Sequence, residues 1–436
     1  MTRPAVADPA SAIRPGVFTR VGHRLLRDGR RTFLLADTAW AAFVRAEPDE
    51  WSGYLALRRD QGFNAVLISV LPIPHDQSVG PADRHPFPVD TAGRRRSTEP
   101  DPGYLQRARR MVEAALEHGI TPVLALVWNN YVPGTWGAEL TPHAPMDAEQ
   151  TRAYVRRALA AFAGLDVIYS ISGDEAYADT AQTARYQQVL DEVRAHVPTG
   201  LVTAHPATGL LPPPALTHQL DLLGYQSGHD VEHLGRCPDL AGELLRRLPA
   251  RPVLNLEPCY EAHGRVDGVG RHGRGAVRAA IWSSVLGGAT AGVGYGAHGV
   301  WSWHRQGDTF GNVAFSRLPY PIGQAMHLDG AHDAALVRQL VELHDLFDLR
   351  PCQELLVGGQ PRVRAAATAG LATVAVYAPP NLPVLLPDAV ADHSVLTIDL
   401  SRRRPVAARR GIDPSRRLVL DPEPSGTDLL HLLRRR

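Results

Sequence analysis

Residues 251–261, RPVLNLEPCYE, carry a glutamate out of an apolar strand and into a turn. Alternation along a strand sends Leu254 and Leu256 to one face. It sends Asn255 and Glu257 to the other face, and the proline that follows ends the hydrogen-bond ladder. Glu257 is therefore predicted at the C-terminal end of a strand, where a carboxylate costs free energy unless it is hydrogen-bonded or takes part in chemistry.

Residues 167–175, VIYSISGDE, repeat this arrangement at a distant point of the chain. An alternating strand runs to Ser172, Gly173 opens a turn, and Asp174 follows. Two carboxylates at strand ends indicate acid/base or nucleophilic work on one substrate, so Asp174 and Glu257 are the candidate catalytic residues. The alternation favours Asp174 over its neighbour Glu175 as the acid, but parity does not decide once a glycine begins the turn.

The composition of the 436 residues excludes several classes of function. A formal net charge of +1 gives no long-range field that would attract nucleic acid or an anionic membrane, so neither is expected as a partner. The sequence contains no lysine. This absence excludes three classes that need a lysine: Schiff-base enzymes, pyridoxal-phosphate enzymes and P-loop nucleotide hydrolases.

Cysteine usage and the N-terminal sequence bear on the compartment. Cys237, Cys259 and Cys352 are too few and too widely spaced for a disulfide framework or a metal knuckle. The first residues lack the apolar run of a signal peptide, and no stretch approaches the about 18 apolar residues of a membrane span. We expect a cytoplasmic protein, or a secreted one if a leader has been removed.

Short apolar runs alternate with longer amphipathic runs over residues 30–350, which is typical of a (β/α)8 TIM barrel. A doubly wound open sheet shares this alternation; the count of eight strands and the polar residues at their C-terminal ends favour the barrel. The expected strands are 32–37, 64–70, 121–128, 167–172, 201–205, 222–226, 252–257 and 292–301. The expected helices are 49–61, 103–118, 148–163, 181–196, 234–248, 275–286 and 321–349.

The two ends of the chain lack this alternation of short apolar and longer amphipathic runs. Residues 1–29 show no clear periodicity and are expected to wrap the barrel as an N-terminal extension or stay mobile. Residues 351–436 contain short extended runs that predict a small C-terminal β-sandwich. Its expected strands are 354–357, 363–367, 371–377, 384–386, 395–400 and 417–420, while the arginine runs 94–96, 402–404 and 434–436 are expected at the solvated surface or in a tail.

Polar and aromatic residues collect just beyond the predicted strand ends. Tryptophan rings offer flat apolar faces to the C–H faces of sugars, while carboxylate, amide and imidazole groups bind hydroxyls. The strand ends therefore predict a carbohydrate pocket. The candidate substrate contacts are Asp37, Trp40, Trp128, Asn129, His205, His229, Tyr260, His298, Trp301 and Trp303.

Two other functions stay open from the residues alone. A metal-dependent hydrolase on the same barrel is suggested by 19 histidines and by His229 next to Asp230, but the first strand ends without an HxH pair and no HExxH occurs. A non-catalytic sugar-binding protein would keep the tryptophans without needing two acids. We expect no metal and no cofactor, and the sequence does not indicate an oligomeric state.

Six segments in register resemble the apiosidase-like family of glycoside hydrolases. They are FLLADTAWAAF, RRDQGFNAVLISVL, YSISGDEAY, YQSGHD, LNLEPCYE and GATAGVGYGAHGVWSW. The resemblance runs from about residue 29 to residue 349, and the remaining residues resemble the collagen-binding type domain that often follows that barrel. We interpret this second domain as a packing partner of the barrel.

The resemblance implies a (β/α)8 barrel that cleaves the glycosidic bond of a furanoside such as β-D-apiose. It implies an acid pair on the fourth and seventh strands, which matches Asp174 and Glu257, and sugar contacts at positions that match Asp37, His229, His298 and Trp301. We therefore expect a cofactor-independent glycosidase that removes a terminal furanoside from a small glycoside or oligosaccharide. In a retaining reaction Asp174 would protonate the leaving oxygen and Glu257 would attack the anomeric carbon.

Overall fold

The computed structural model describes residues 16–88, 100–230, 233–266 and 269–436. Eight parallel strands form its centre: β1 Leu34–Thr38, β2 Ala65–Ser69, β3 Thr121–Trp128, β4 Ile168–Gly173, β5 Val202–Thr203, β6 Leu223–Gln226, β7 Val253–Glu257 and β8 Gly292–Tyr295. The main helices around them are α1 Pro48–Gln61, α2 Pro102–Glu117, α3 Ala148–Ala161, α4 Thr180–His196, α5 His233–Arg247, α6 Arg274–Gly287 and α7 Gly330–Leu343. Short helices lie at Ala42–Arg45, Trp136–Leu140, Pro214–Thr217, Val313–Ser316 and Ile322–Ala325.

The strands follow one another around a nearly closed barrel, in the order β6, β7, β8, β1, β2, β3, β4, β5. The last strand pairs in parallel with the first, with Gly292 opposite Leu34. Among the described residues no ladder joins β5 to β6, where the backbone N–H of Leu222 donates to the Val202 carbonyl at 3.2 Å. This pairing confirms the predicted (β/α)8 barrel rather than a doubly wound open sheet.

The glycines of β8 let three strands approach closely where the barrel shuts. A Cβ atom at Gly292 would lie 2.5 Å from the Leu34 carbonyl oxygen, and one at Gly294 would lie 2.1 Å from that of Leu256. Both distances are shorter than van der Waals contact, so a side chain at either position would force β8 away from its neighbours. Strand β8 ends at Tyr295 rather than at the predicted residue 301, because the chain turns there into the loop that carries Trp301.

The predicted helix 321–349 is divided in the structure. It consists of Ile322–Ala325, α7 and a 3-10 turn at Leu346–Asp348. The backbone N–H of Gly330, the first residue of α7, donates to Glu261 Oε2 at 2.9 Å, and a Cβ atom at this glycine would lie 2.4 Å from the same oxygen. This contact with the β7–α6 loop fixes a new helix start that the apolar periodicity does not reveal.

The described part of the N-terminal extension forms a small antiparallel sheet of Phe18–Val21, Arg24–Arg27 and Arg30–Arg31. Arg27 donates to the carbonyl of Gly119, which lies just before β3. The sheet thus covers the N-terminal end of the barrel, opposite the strand ends that carry the predicted site. Residues 1–15 and the arginine run 94–96 lie outside the described residues. No helix within the described ranges is long and apolar enough to cross a membrane.

The C-terminal residues form two antiparallel sheets over a core of their own. One sheet has the order Arg350–Pro351, Arg364–Ala367, Thr373–Ala378, Leu429–Arg434, Ser394–Asp399 and Arg404–Val406; the other has Val384–Leu386, Leu418–Leu420 and Arg410–Ile412. Val376 and Leu433 of the first sheet share this core with Leu386 and Leu420 of the second, as expected for the predicted sandwich. The predicted strand 354–357 is instead a 3-10 turn, Gln353–Leu355.

Buried ion pairs join the sandwich to the barrel. The Arg278 guanidinium on α6 lies 2.6 Å from Asp428 of the sandwich and 2.7 Å from Asp333 of α7. All three side chains are at most 7% exposed. Because a buried charge without its partner is costly, each domain stabilises the fold of the other at this point.

Candidate active site

A cavity of about 510 Å³ opens at the C-terminal ends of the barrel strands. Carboxyl groups, imidazoles and aromatic rings share its wall. The lining residues are Trp40, Ile73, His75, Asp76, Trp128, Trp136, Leu140, Asp174, Ala207, Thr208, Gln226, His229, Glu257, Tyr260, His263, Trp301, Asn312 and Phe315. Both predicted catalytic carboxyl groups are therefore in one cavity.

Two histidines hold the carboxylate of Glu257 at the end of β7. Nε2 of His229 lies 3.0 Å from Oε1, and Nε2 of His205 lies 3.2 Å from Oε2. Nδ1 of His229 accepts the backbone N–H of Tyr260, and Nδ1 of His205 accepts that of Asp174. Since each Nδ1 acts as an acceptor, each ring carries its proton on Nε2 and directs an N–H toward Glu257.

Asn255 does not hold this carboxylate, although strand alternation predicts it on the same face as Glu257. Its side-chain amide donates instead to Ser227 and to Ser284 of α6. The register between β6 and β7 shifts here, because Asn255 pairs with Tyr225 whereas Glu257 pairs with Gln226. This irregularity breaks the parity and leaves Glu257 facing the cavity.

The pKa of Glu257 is held well below its usual range. Burial by itself would raise that pKa, but the contacts of its two oxygens with Nε2 of His205 and Nε2 of His229 outweigh it. Glu257 is therefore ionised at neutral pH. A carboxylate fixed by two N–H donors in a cavity has the charge state and the orientation that a nucleophile needs.

Asp174 has the opposite electrostatic environment. Burial and, after it, the negative charge of Glu257 raise its pKa to about 7. Gln226 Nε2 donates to Oδ1 at 2.5 Å, and the backbone of Asp174 has φ 51°, a left-handed conformation at the end of β4. A raised pKa beside a lowered one separates an acid from a base within one cavity.

Glu175 does not line the cavity, although it neighbours Asp174. Its side chain is fully buried, and its Oε1 accepts the backbone N–H of Tyr177 at 2.8 Å. The turn therefore separates the two acids, with Asp174 on the cavity wall and Glu175 behind it.

A third carboxyl group, Asp76, also lines the cavity. Asn312 Nδ2 donates to its Oδ1 at 2.9 Å. Burial, together with the negative charge of Glu257, raises the pKa of Asp76 to about 6. The sequence carried a signal for it, because Asp76 follows the second predicted strand in the segment PIPHD, but no pattern marked this acid above others in loops.

Five of the predicted substrate contacts lie on the cavity wall: Trp40, Trp128, His229, Tyr260 and Trp301. The rings of Trp40 and Trp128 meet edge to face with centroids 5.0 Å apart, and Trp40 Nε1 donates to the Tyr260 hydroxyl at 3.0 Å. These contacts fix aromatic faces beside the carboxyl groups. Wall residues that the sequence reasoning missed include His75, Trp136, Gln226, His263, Asn312 and Phe315.

Asp37 and Trp303 lie away from this wall. Asp37 is 1% exposed, lies 2.5 Å from the Arg58 guanidinium and accepts a hydrogen bond from Tyr54. Trp303 is fully buried and donates to Glu50. Both side chains hold α1 against the barrel. In the sequence, a polar strand-end residue with this structural role looks the same as one that binds substrate.

Three further predicted contacts support the wall from behind. Asn129 Nδ2 donates to the Asp174 carbonyl at 2.8 Å, and His205 reaches Glu257 as described. His298 accepts from Trp301 Nε1 and faces the Arg317 carbonyl through its own Nε2. Within the described ranges, no group of three or more His, Cys, Asp and Glu side chains is arranged to hold a metal ion.

Comparisons with known proteins agree with this architecture. The family model for the apiosidase-like catalytic domain matches residues 21–348. A solved structure described as a glycoside hydrolase is 17% identical over 99% of this chain and 98% of its own, with a TM-score of 0.78. A glycoside hydrolase family 5 protein from Bacteroides vulgatus ATCC 8482 is 18% identical over 96% and 93%, with a TM-score of 0.77. At these identities the two structures establish the fold. No curated protein matches the sequence.

Proposed function

The chain belongs to the apiosidase-like family of glycoside hydrolases, and we propose that it removes a terminal furanoside, such as β-D-apiose, from a small glycoside or oligosaccharide. Family membership supports the choice of sugar. The observation that carries the proposed reaction is the pair of opposite pKa shifts at Asp174 and Glu257 within one cavity. Cleavage of a glycosidic bond by two carboxyl groups needs this division of charge.

In the first step Asp174 is protonated and donates its proton to the glycosidic oxygen, which leaves as an alcohol. Glu257 attacks the anomeric carbon and forms a glycosyl ester. The N–H groups of His205 and His229 hold the attacking carboxylate in place, so little reorganisation precedes the attack. The placement of the acids on the fourth and seventh strands supports this retaining course.

In the second step a water molecule attacks the ester, and Asp174 takes its proton. The charge of Glu257 is one cause of the raised pKa of Asp174, and that charge disappears when the ester forms. The pKa of Asp174 therefore falls in the intermediate, where the reaction needs a base. When the ester is hydrolysed the charge returns, and Asp174 is again suited to hold a proton.

The remaining wall residues bind the sugar. Trp40, Trp128 and Trp301 contribute ring faces for C–H groups, as aromatic side chains do in carbohydrate sites. Asp76 and Asn312 contribute acceptors and donors for ring hydroxyls. Asp76 is thus proposed as a substrate-binding residue. Burial and the nearby charge of Glu257 make its ionisation unfavourable in free energy.

The proposed function is tested with a panel of aryl furanosides and pyranosides. We expect turnover of a terminal β-apiofuranoside or a related furanoside, with the product anomer retained when it is followed by NMR. Turnover of pyranosides alone would contradict the furanoside specificity. Activity should survive exhaustive chelation, since the two carboxyl groups perform both steps; a loss with EDTA that a divalent ion restores would favour a metal-dependent hydrolase.

A further inference from the structure

A second cavity, of about 330 Å³, lies beside the first. We propose that it is an aglycone subsite that takes a flat, apolar alcohol, such as an aromatic one, while the sugar occupies the first cavity. This inference rests on the proposed function and adds the class of leaving group. The apolar part of its wall includes Pro72, Pro74, Phe87, Tyr131, Leu140 and Pro142.

One stretch of chain after β2 separates the two cavities. Ile73, His75 and Asp76 line the first cavity, whereas the alternate residues Pro72, Pro74 and Gln77 line the second. The two cavities therefore share a wall that is one segment thick. Leu140, at the end of the short helix Trp136–Leu140, lines both. A substrate whose sugar lies among the carboxyl groups can extend past this leucine into the second cavity.

Three polar side chains of the second wall, those of Gln77, Tyr131 and Thr141, form hydrogen bonds within the protein. Oε1 of Gln77 accepts the backbone N–H of Ile73, and the Tyr131 hydroxyl donates to the Pro72 carbonyl. The Thr141 hydroxyl donates to the Gly137 carbonyl at 2.7 Å. These three residues therefore present mainly ring and aliphatic atoms to a ligand. Two imidazoles, of His85 and His143, also line this cavity, but a second sugar would still find few partners for its several hydroxyls. An aromatic group loses little on leaving water.

Exposed apolar side chains mark the same boundary. Leu140 is 63% exposed and Trp136 is 37% exposed, on a helix of five residues that borders both cavities. Adjacent large apolar side chains in contact with solvent beside a cavity indicate a binding surface. A volume of about 330 Å³ lies within the usual range of about 300–1,000 Å³ for small-molecule sites.

The experiment compares a 2-naphthylmethyl glycoside with a methyl glycoside of the same sugar, which are both glycosides of simple alcohols. Pro142→Glu, at an exposed position that lines the second cavity and not the first, should lower kcat/KM for the naphthylmethyl glycoside about tenfold or more. It should leave kcat/KM for the methyl glycoside near the wild-type value. Leu343→Glu is the control, because Leu343 is an exposed apolar residue that lines neither cavity. It should change neither value.

Binding of 2-naphthylmethanol, measured by calorimetry, separates this inference from the choice of sugar. The alcohol should bind to the wild type and to Leu343→Glu, and binding should be lost in Pro142→Glu. If no furanoside is hydrolysed, the proposed sugar is wrong, but this binding pattern still supports the apolar site. No binding to the wild type, equal binding to all three proteins, or equal losses on both glycosides would overturn the subsite. Leu140→Glu, at the exposed boundary of the two cavities, repeats the binding measurement alone if Pro142→Glu melts early.

Discussion

His205 contacts both halves of the proposed catalytic pair, since its Nε2 lies 3.2 Å from Glu257 Oε2 while its Nδ1 accepts the backbone N–H of Asp174 at 3.3 Å. The ring bridges the ends of β4 and β7 from its own place after β5. It therefore sets the position of one carboxyl group relative to the backbone of the other. A catalytic pair on two separate strands needs such a fixed reference, because small displacements of reacting groups reduce rates strongly.

Replacing His205 by alanine should raise the pKa of Glu257 and lower kcat. The carboxylate loses one charge-assisted hydrogen bond, worth about 1.5–3 kcal/mol, or about one to two pKa units. The acidic limb of the kcat/KM profile should move to higher pH by a similar amount. The matched control is His431→Ala, since His431 is buried in the sandwich and has no part in the cavity. An unchanged acidic limb in His205→Ala would show that this ring does not hold Glu257 ionised.

The basic limb of the profile should report Asp174. Because its pKa is about 7, activity should fall as pH rises through that value and the proton of the acid is lost. Asp76→Asn should move this limb to lower pH, because the charge of Asp76 is one of the causes that raise the pKa of Asp174. The same variant should raise KM if Asp76 binds sugar hydroxyls. A basic limb that stays in place in both Asp76→Asn and Asp174→Asn would assign it to another group.

Asp174→Ala should have an effect that depends on the leaving group. An alkyl or sugar aglycone needs protonation, so its hydrolysis should slow by about 10²–10⁴, whereas a nitrophenyl aglycone should lose much less. Azide should rescue the nitrophenyl substrate by intercepting the glycosyl-enzyme. Glu175→Gln, the neighbouring control, should show neither the selective loss nor the rescue. The reverse pattern would transfer the acid role to Glu175.

Asp174→Asn should also stabilise the folded protein at alkaline pH. A carboxyl group whose folded pKa of about 7 exceeds the unfolded value binds more protons when folded, so its contribution to stability is present at low pH and is lost as pH rises toward 7. Each pKa unit corresponds to about 1.4 kcal/mol, so the gain at pH 8 is at most a few kcal/mol. Urea unfolding at pH 5 and pH 8 measures it, with Asp60→Asn on the exposed face of α1 as the control. An equal effect at both pH values would contradict the raised pKa.

The contact between the domains gives a further test. Asp428→Asn leaves the Arg278 guanidinium with one buried partner fewer and should lower the free energy of unfolding by about 3–5 kcal/mol. Asp421→Asn, at an exposed position of the same segment, should have an effect within about 0.5 kcal/mol. Near-equal stability of the two variants would show that the ion pair does not join the domains as proposed.

The barrel could be predicted because its strands are buried on both faces and are separated by amphipathic helices. The strands of the sandwich were harder to predict. Its central strand, Leu429–Arg434, reads LLHLLR, and leucine has no strong preference for strands. Arg434 is exposed, as expected for the arginine run 434–436, but it ends a strand that pairs with Thr373–Ala378 on one side and Ser394–Asp399 on the other. Such long-range pairing leaves no local pattern.

The candidate site, like the fold, could be predicted only in part. The strand ends pointed to Asp174 and Glu257, which share one cavity, but strand alternation did not show which other polar residues turn toward that cavity. Asp37 is ion-paired with Arg58 behind the wall, while Asp76 lies on it. The sequence places both after barrel strands. Their different environments depend on α1 and on the loop that carries Asn312, which are contacts between distant residues.

The most direct test of the proposed mechanism is to trap the glycosyl-enzyme. Asp174→Ala forms the ester with a nitrophenyl furanoside but lacks the base for its hydrolysis, so the intermediate should accumulate and be visible by intact mass spectrometry. The account predicts a mass increase of one sugar residue, located by peptide sequencing on Glu257, and no adduct in the double variant with Glu257→Gln. An adduct on Asp76, or product release without any adduct and with inversion of the anomeric centre, would contradict the assignment of Glu257 as the nucleophile.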